Sequence, residues 1–151
     1  MSARRPCQCS PIQIQKYLSK ISGPLLDRID IHLQVPALKT HELLGPLQTE
    51  GSSDIKRRCA ASRRIQQKRF ESSSIHTNAQ MTSAHIKEFC SLDEDSKGLL
   101  KKAIDALGLS ARAHDKILKV ARTISDLAGS KNILPQHIAE AISYRALDRA
   151  R

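Results

Sequence analysis

The sequence predicts a mainly α-helical protein, with a helical bundle over residues 54–151 that is preceded by one helix and one strand within residues 1–36. Two observations lead to this prediction. After residue 53, apolar residues recur at helical spacing, and capping residues or glycines stand at the segment ends. Between residues 36 and 53, prolines, glycines, serines and threonines interrupt the pattern, so we expect a linker over residues 37–53.

The first part of the chain begins with a helix at Ser10-Pro11, because a serine hydroxyl can cap the first turn and proline fits the first helical position. Gly23-Pro24 ends this helix, and a short turn follows. Residues 29–35 alternate apolar and polar side chains, which predicts a strand with one buried face. One helix and one strand cannot complete a sheet, so we expect residues 1–36 to be the end of a larger α/β unit and to pack only in part.

Five helices with short connections are predicted after the linker, and such a set forms a compact bundle. They run from Ser52 or Ser53 to about Phe70, from Thr82 or Ser83 to Phe89, from a capping box at Ser91 and Glu94 to Gly108, from Ser110 to Gly129, and from Pro135 to near Leu147. One further helical turn is predicted inside the linker at residues 41–44.

The composition favours an anionic partner. Lysine and arginine outnumber aspartate and glutamate by 25 to 15, which suits nucleic acid or a nucleotide phosphate. Two tyrosines, two phenylalanines and no tryptophan argue against a protein that binds single strands by stacking bases. No apolar run is long enough to span a bilayer and no signal peptide is evident, so we expect a cytoplasmic protein without a membrane partner.

The four cysteines give little sign of metal chemistry. Cys59 and Cys90 fall on the apolar sides of predicted helices, where they are expected to be small buried hydrophobes. Cys7 and Cys9, two residues apart, could supply half of a zinc site, but no histidine or cysteine nearby completes it. We therefore expect no metal site in this chain alone.

Three stretches carry a family resemblance: "CSPIQIQKYLSKISGPLLDRIDIHLQVP", "NAQM" and "LGLSARAHDKILKVARTISDLAGSKNILPQHIAEAISYRALDR". In this order they resemble the C-terminal portion of the magnesium-chelatase-like AAA+ ATPases of bacteria, the ComM/YifB group. The resemblance implies that residues 54–151 are the AAA+ lid domain and residues 1–36 a remnant of the AAA+ core. It also implies ATP and Mg²⁺ as cofactors of the complete protein and a ring, hexameric in such proteins, that processes DNA by branch migration during natural transformation.

Two arginines match functional positions of that family. Arg28, in "LLDRID", matches the arginine finger, which reaches the γ-phosphate bound to the neighbouring subunit. Arg112, in "LSARAHDK", matches the sensor-2 arginine on the first turn of a lid helix. From the residues alone, Arg28 could equally be a surface arginine that pairs with Asp27 or Asp30, and Arg112 a solvated one.

The chain also departs from the family pattern. It has no G-x-x-x-x-G-K-[ST] phosphate loop and no apolar run that ends in paired acidic residues for magnesium. We therefore expect this chain to be a C-terminal piece of a longer protein that does not hydrolyse ATP alone. Two alternatives stay open: a stand-alone basic helical module that binds DNA, and a module that docks on another protein.

The helix predicted after the linker is strongly basic. A thin apolar stripe is expected at Ile55, Cys59, Ser62 and either Ile65 or Gln66. A solvated charged helix is the common explanation, and contact with a phosphate backbone is the functional alternative. The candidate nucleic-acid residues are Lys56, Arg57, Arg63, Arg64 and Lys68, and Arg58 and Arg69 add to the charge.

Overall fold

The computed structural model describes residues 8–36 and 49–145, and the described part is mainly α-helical, as the sequence predicts. The helices are α1 (Pro11–Leu18), α2 (Gly23–Leu26), α3 (Ser52–Arg69), α4 (Ser83–Phe89), α5 (Glu94–Leu107), α6 (Ala111–Leu127) and α7 (Pro135–Ser143), with a 3-10 turn at Asn78–Gln80. The helical turn predicted at residues 41–44 lies outside the described residues.

Helices α3 to α7 form the predicted five-helix bundle, and its core is built between residues 70 and 142. Helix α6 is central, because α3, α4, α7 and the 3-10 turn all pack against it, while α5 packs on α7. The core side chains are apolar and buried: Phe70, Met81, Ile86, Cys90, Leu100, Ile117, Leu118, Ala121, Ile133, Ile138, Ala141 and Ile142. Burial of these side chains is the main stabilising contribution to the bundle.

Several helix ends follow local signals in the sequence. Gly108 adopts the left-handed conformation at the end of α5, with φ 59°, where glycine avoids the steric cost of a Cβ. The Ser110 side chain caps α6 by accepting a hydrogen bond from the Ala113 amide at 3.1 Å. Thr82 precedes α4 and Pro135 begins α7, so these predicted starts are confirmed.

Two predicted boundaries and one predicted cap are wrong. Helix α3 begins at Ser52, within the predicted range, but it follows Gly51 and has no side-chain cap. Helix α5 is capped by Asp93, whose carboxylate accepts a hydrogen bond from the Ser96 amide at 2.8 Å, and the predicted cap at Ser91 fails because Leu92 stays extended in a bridge with Ile133. Helix α7 ends at Ser143 instead of near residue 147, because the chain beyond its end contacts residue 32.

The strand predicted over residues 29–35 is also wrong, and the described ranges contain isolated bridges in place of strands. The His32 amide donates to the Tyr144 carbonyl oxygen at 2.7 Å, and His32 forms a single parallel bridge with Arg145. A strand requires a ladder of backbone partners, whereas the end of α7 pairs with residue 32 alone. Leu33 and Val35 consequently remain 70% and 87% exposed.

Residues 8–36 are attached to the bundle at few points, as expected. Helix α1 buries none of its residues, and Ile12 and Tyr17 are exposed. Leu26 and His32 are the buried residues of this segment within the described part. The segment therefore depends on contacts with α6 and α7 for its position.

Candidate functional site

Asp27 joins the segment that carries Arg28 to the start of α6. Its carboxylate accepts a hydrogen bond from the Ser110 hydroxyl at 2.9 Å and an ion-pair contact from Arg112 Nη1 at 3.4 Å. Ser110 is also the cap of α6, so the same hydroxyl serves the helix end and the contact. The structure thus brings Arg112 next to the residue that precedes Arg28.

Two further cations hold the backbone around Arg28. Lys116, one turn farther along α6, donates from Nζ to the Arg28 carbonyl oxygen at 2.5 Å and also pairs with the Asp30 carboxylate. Arg145 Nη1 donates to the Ile29 carbonyl oxygen at 2.6 Å. Three consecutive residues are therefore fixed by side chains from α6 and from the end of α7.

The Arg28 side chain is exposed, and its guanidinium makes no hydrogen bond or ion pair with residues 8–36 or 49–145. The neighbouring carboxylates are engaged elsewhere, Asp27 by Arg112 and Asp30 by Lys116. The alternative that Arg28 pairs with either aspartate is therefore wrong. A fixed backbone with an uncommitted cation is the arrangement of a side chain that can bind an anion from outside.

Arg112 lies on the first turn of α6, as predicted, and its side chain is 61% exposed. Its ion pair with Asp27 is long and solvated, so it contributes about 0–1 kcal/mol and can be exchanged. The positive end of a helix dipole favours an anion at this position. Arg112 can therefore leave Asp27 for a phosphate at little cost.

An open cleft lies beside these residues, between α2 and the connection from α5 to α6. Its volume is about 500 Å³. It is lined by backbone-rich turns and by the two residues of the ion pair, namely Gly23, Pro24, Leu26, Asp27, Leu107, Gly108, Leu109, Ser110, Arg112 and Ala113. A group that enters this cleft meets the cap of α6 and the Arg112 guanidinium together.

A buried polar network that sequence reasoning missed holds α3 against α6. The Asp126 carboxylate accepts two hydrogen bonds from Arg69, at 2.7 and 2.5 Å, and one from Asn78 Nδ2 at 2.8 Å. The Asn78 side-chain oxygen accepts a hydrogen bond from Arg69 at 2.8 Å, and the Asn78 backbone N–H donates to the Gln66 side-chain oxygen at 3.1 Å. The "NAQM" stretch therefore has a structural role, and the resemblance that contains it was the available signal.

Arg122, one turn before Asp126 in α6, completes this network. It donates to Asp126 at 3.2 Å and to the Ser130 and Lys131 carbonyl oxygens at 2.9 and 3.0 Å. Burial lowers the pKa of Arg122, and the Asp126 carboxylate opposes that shift. Since Arg122 binds the loop between α6 and α7 directly, the loop conformation depends on this guanidinium.

Within the part of the chain that the structure describes, the buried residues of the basic helix α3 lie in its C-terminal half. Ser62 and Gln66 are buried as predicted, whereas Ile55, Cys59 and Ile65 are exposed. The predicted stripe is wrong at Ile55 and Cys59 because residues 78 and 126, which anchor the helix, lie opposite its last two turns, and Gln66 is the buried member of the pair Ile65 or Gln66.

The basic residues of α3 divide into three groups. Arg69 is largely buried in the network, contrary to its prediction as one more solvated cation. Arg57 pairs with Asp54 at 2.5 Å, and Arg58 pairs with Glu50. The side chains of Lys56, Arg63, Arg64 and Lys68 have no ion pair within the part of the chain that the structure describes.

The candidate residues thus belong to two separate places. Arg112 pairs with Asp27, the neighbour of Arg28, at the start of α6, whereas α3 is anchored at Asp126 near the end of α6. Fourteen residues of helix separate Arg112 from Asp126, which is about 21 Å at 1.5 Å per residue. The two sets cannot form a single site.

Cys90 is buried as expected, and burial raises the pKa of its thiol to about 11. Cys9 is exposed, and Cys7 lies outside the described residues. Residues 8–36 and 49–145 contain no group of three or more histidine, cysteine, aspartate or glutamate side chains that could hold a metal ion. The expectation that this chain alone has no metal site stays a prediction.

In the described ranges, no helix combines the length and the apolar character that crossing a membrane requires.

Residues 49–145 match the family model of the magnesium chelatase subunit ChlI C-terminal domain, and residues 1–43 match the model of magnesium chelatase subunit ChlI. The chain is 41% identical over 145 residues to Competence protein ComM of Haemophilus influenzae, which covers 93% of this chain and 27% of that protein. It is 41% identical over 144 residues to the protein YifB of Escherichia coli, covering 94% and 28%. An uncharacterized protein of Mycobacterium tuberculosis is 30% identical over 153 residues, with 95% and 30% covered. These matches confirm the resemblance found in the motifs.

Proposed function

The chain belongs to the magnesium chelatase subunit ChlI C-terminal family, and from this premise we propose that it supplies two phosphate-contacting arginines for ATP hydrolysis in a ring of AAA+ subunits. The observation that carries the proposal is the exposed Arg28 guanidinium on a backbone that Lys116 and Arg145 brace. The chain spans about 28% of the length of the relative YifB, so the activity of the complete protein is part of the proposal.

Arg28 would act on the nucleotide of the adjacent subunit. A guanidinium is planar and permanently charged, so it can contact two phosphate oxygens and stabilise the charge that develops on the γ-phosphate. Such stabilisation is most effective when the donor is already positioned before the reaction. The contacts of Lys116 and Arg145 with the Arg28 and Ile29 carbonyl oxygens provide that positioning.

Arg112, as the sensor-2 residue, would contact the phosphate and respond to whether it is bound. In this structure it contacts Asp27, which also binds the Ser110 cap. A phosphate in the adjacent cleft would compete with Asp27 for the guanidinium and so loosen one attachment of the Arg28 segment. Replacement of Asp27 by phosphate at Arg112 would thus couple the nucleotide bound near Arg112 to the position of Arg28, which contacts the nucleotide of the adjacent subunit.

The residues at this site are suited to contact the γ-phosphate of a bound nucleotide. Bound Mg²⁺ with ATP would supply electrophilic activation of the γ-phosphate, whereas Arg28 and Arg112 would supply cationic contacts to its oxygens. The sequence has no phosphate-loop motif, and no metal-holding group occurs among the described residues. We therefore expect that the β-phosphate and the metal bind elsewhere in the complete protein and that this chain alone hydrolyses no ATP.

We further propose that such a ring, hexameric as the resemblance implies, processes DNA in the cytoplasm. The support is the 41% identity to a relative named as a competence protein, together with the basic composition of the chain. The alternatives of a stand-alone DNA-binding module and of a protein-docking module stay predictions.

A chimera tests the ATPase role. Residues 8–145 of this chain replace the matching segment of ComM from Haemophilus influenzae, and the steady-state ATPase rate is measured for the chimera and its variants. We expect Arg28→Ala to lower kcat by about 10³-fold, the scale of an arginine finger. Arg28→Lys should not restore the rate, because an ammonium lacks the planar fork.

The matched control is Arg63→Ala, which removes an exposed cation from α3. Arg112→Ala should reduce turnover less than Arg28→Ala, since Arg112 would bind phosphate in both the ground state and the transition state. Circular dichroism and gel filtration check folding and assembly. A kcat for Arg28→Ala equal to that of the control would refute the finger assignment.

A further inference from the structure

We propose that a second anion site, formed by Arg64 and Lys68 of α3 and by Lys131 of the α6–α7 loop, binds the phosphate backbone of nucleic acid. This site goes beyond the ATPase role and does not depend on it. It lies at the end of α6 that carries Asp126, away from Arg112.

The site is centred on an open cleft between α3, α4 and the α6–α7 loop. Its volume is about 680 Å³. The charged residues that line it are four cations, Lys68, Arg69, Arg122 and Lys131, and one carboxylate, Glu88. Buried Asp126 neutralises one further charge from behind, so the cleft keeps an excess of two positive charges.

The four cations have different roles. Arg69 and Arg122 are held by Asp126 and give the cleft wall a fixed positive potential. Lys68 and Lys131 are exposed, and their ammonium groups have no ion pair in the described ranges. These two lysines are therefore available for an anion that enters from solvent.

The Lys131 backbone is held in place by the same network. Arg122 donates to the carbonyl oxygens of Ser130 and Lys131, and the single hydroxyl proton of Ser125 is shared between those of Ser130 and Asn132, each 3.0 Å from Oγ. A lysine on a fixed loop loses less conformational entropy on binding than a lysine on a free one. The loop is thus built to present its cation beside α3.

Helix geometry places a further cation of α3, Arg64, in line with Lys68 of the cleft. Arg64 lies one turn before Lys68, about 40° around the helix axis and 6 Å along it. Lys56 and Arg63 lie about 120–140° from Lys68, on another side of the helix. The cations of α3 therefore separate into a set that continues the cleft and a set that does not.

The set of cations that continues the cleft suits a repeating anion better than a single phosphate. Lys68 and Lys131 line the open cleft, and Arg64 lies one helical turn from Lys68 along α3. Ser91 and Asn132 in the lining can donate hydrogen bonds to phosphate oxygens. Such contacts position a nucleic acid without reading its sequence, so the expected binding is sequence-independent.

Fluorescence anisotropy with the full chain, without ATP, tests the site. The probes are a labelled 20-base-pair duplex and a single strand of the same length. At physiological salt we expect Kd in the range of about 10⁻⁴ to 10⁻⁶ M, with tighter binding at low salt, and about three phosphate contacts predict a slope near −3 in log K against log salt for the duplex. The double variant Lys68→Gln, Lys131→Gln should lose about tenfold in affinity and reduce the slope by about 2.

Two variants sharpen the test. The matched control Lys56→Gln, Arg63→Gln removes the same charge from the other side of α3 and should change Kd less than twofold. Glu88→Gln removes the carboxylate from the cleft and should tighten binding by about threefold. All of these side chains are exposed, and thermal melting checks that each variant folds.

Equal losses in the control pair and in the Lys68, Lys131 pair would overturn the proposal, because they would show diffuse attraction by net charge. A polyglutamate peptide that displaces the duplex at equal charge concentration, with the same order of variants, would overturn it in favour of an acidic protein partner. Loss of ATPase activity in an Arg28 variant that still binds DNA would leave this proposal standing, so the two can fail separately.

Discussion

The bundle and the segment before it are held in place by different forces. Between residues 70 and 142, a continuous apolar core determines the helix positions. Between residues 8 and 36, Leu26 and His32 are the buried contributors, and ionic contacts from α6 and α7 set the position of Arg28. This difference predicts that residues 8–36 can detach while the bundle stays folded. The position of this segment can then respond to a ligand.

The largest expected effect lies in the bundle. Asp126→Ala would leave Arg69 and Arg122 buried without a carboxylate, and breaking a buried pair in this way costs about 3–5 kcal/mol. Urea unfolding followed by circular dichroism measures the loss in the free energy of unfolding. The control Asp54→Ala removes an exposed pair with Arg57 and should cost less than about 1 kcal/mol. Equal costs for the two would show that the network does not stabilise the bundle.

An intermediate effect is expected at the apolar contact of the segment. Leu26→Ala should cost about 2 kcal/mol of local stability, the lower end of the range for buried leucine, because this side chain lies near the surface. Amide hydrogen exchange should accelerate at His32, whose amide binds Tyr144. Amides of α6 should keep their protection. Acceleration throughout α6 would contradict independent detachment of the segment.

The smallest effect is expected at Lys116. Lys116→Met keeps the apolar stem and removes the contacts with the Arg28 carbonyl oxygen and with Asp30. We expect about 1 kcal/mol or less on global unfolding, because partly exposed ionic contacts contribute little. Exchange at the His32 amide, which donates to the Tyr144 carbonyl oxygen, should still be measurably faster. Lys119→Met is the control, since Lys119 bonds Ala79 instead; an equal increase there would argue against bracing by Lys116.

The sequence was sufficient where structure is decided locally. Gly108, Ser110 and Pro135 carry the conformational and capping properties that begin or end helices, and these boundaries are confirmed. Periodicity also gave the five-helix bundle. It failed at Cys59, because a helical pattern does not reveal where along α3 the packing stops.

Long-range contacts account for the other errors. The cap of α5 moved to Asp93 because Leu92 bridges Ile133, and the strand failed because His32 found a single partner at residue 145. Arg69 and Asp126 are 57 residues apart, so no local pattern indicates their pairing. The roles of Arg28 and Arg112 came from the resemblance and stay predictions that the chimera tests.

Helix α6 connects the end of the bundle that contacts the Arg28 segment to the end that holds α3. Arg112 stands at its first turn, and Asp126, which grips α3 through Arg69, stands in its last. Over the roughly 21 Å between them, a tilt of about 10° at the first turn would displace the last by about 4 Å. If the proposed phosphate contact at Arg112 tilts α6 in this way, we expect helix α3 to move with the last turn of α6, because Arg69 binds Asp126 there.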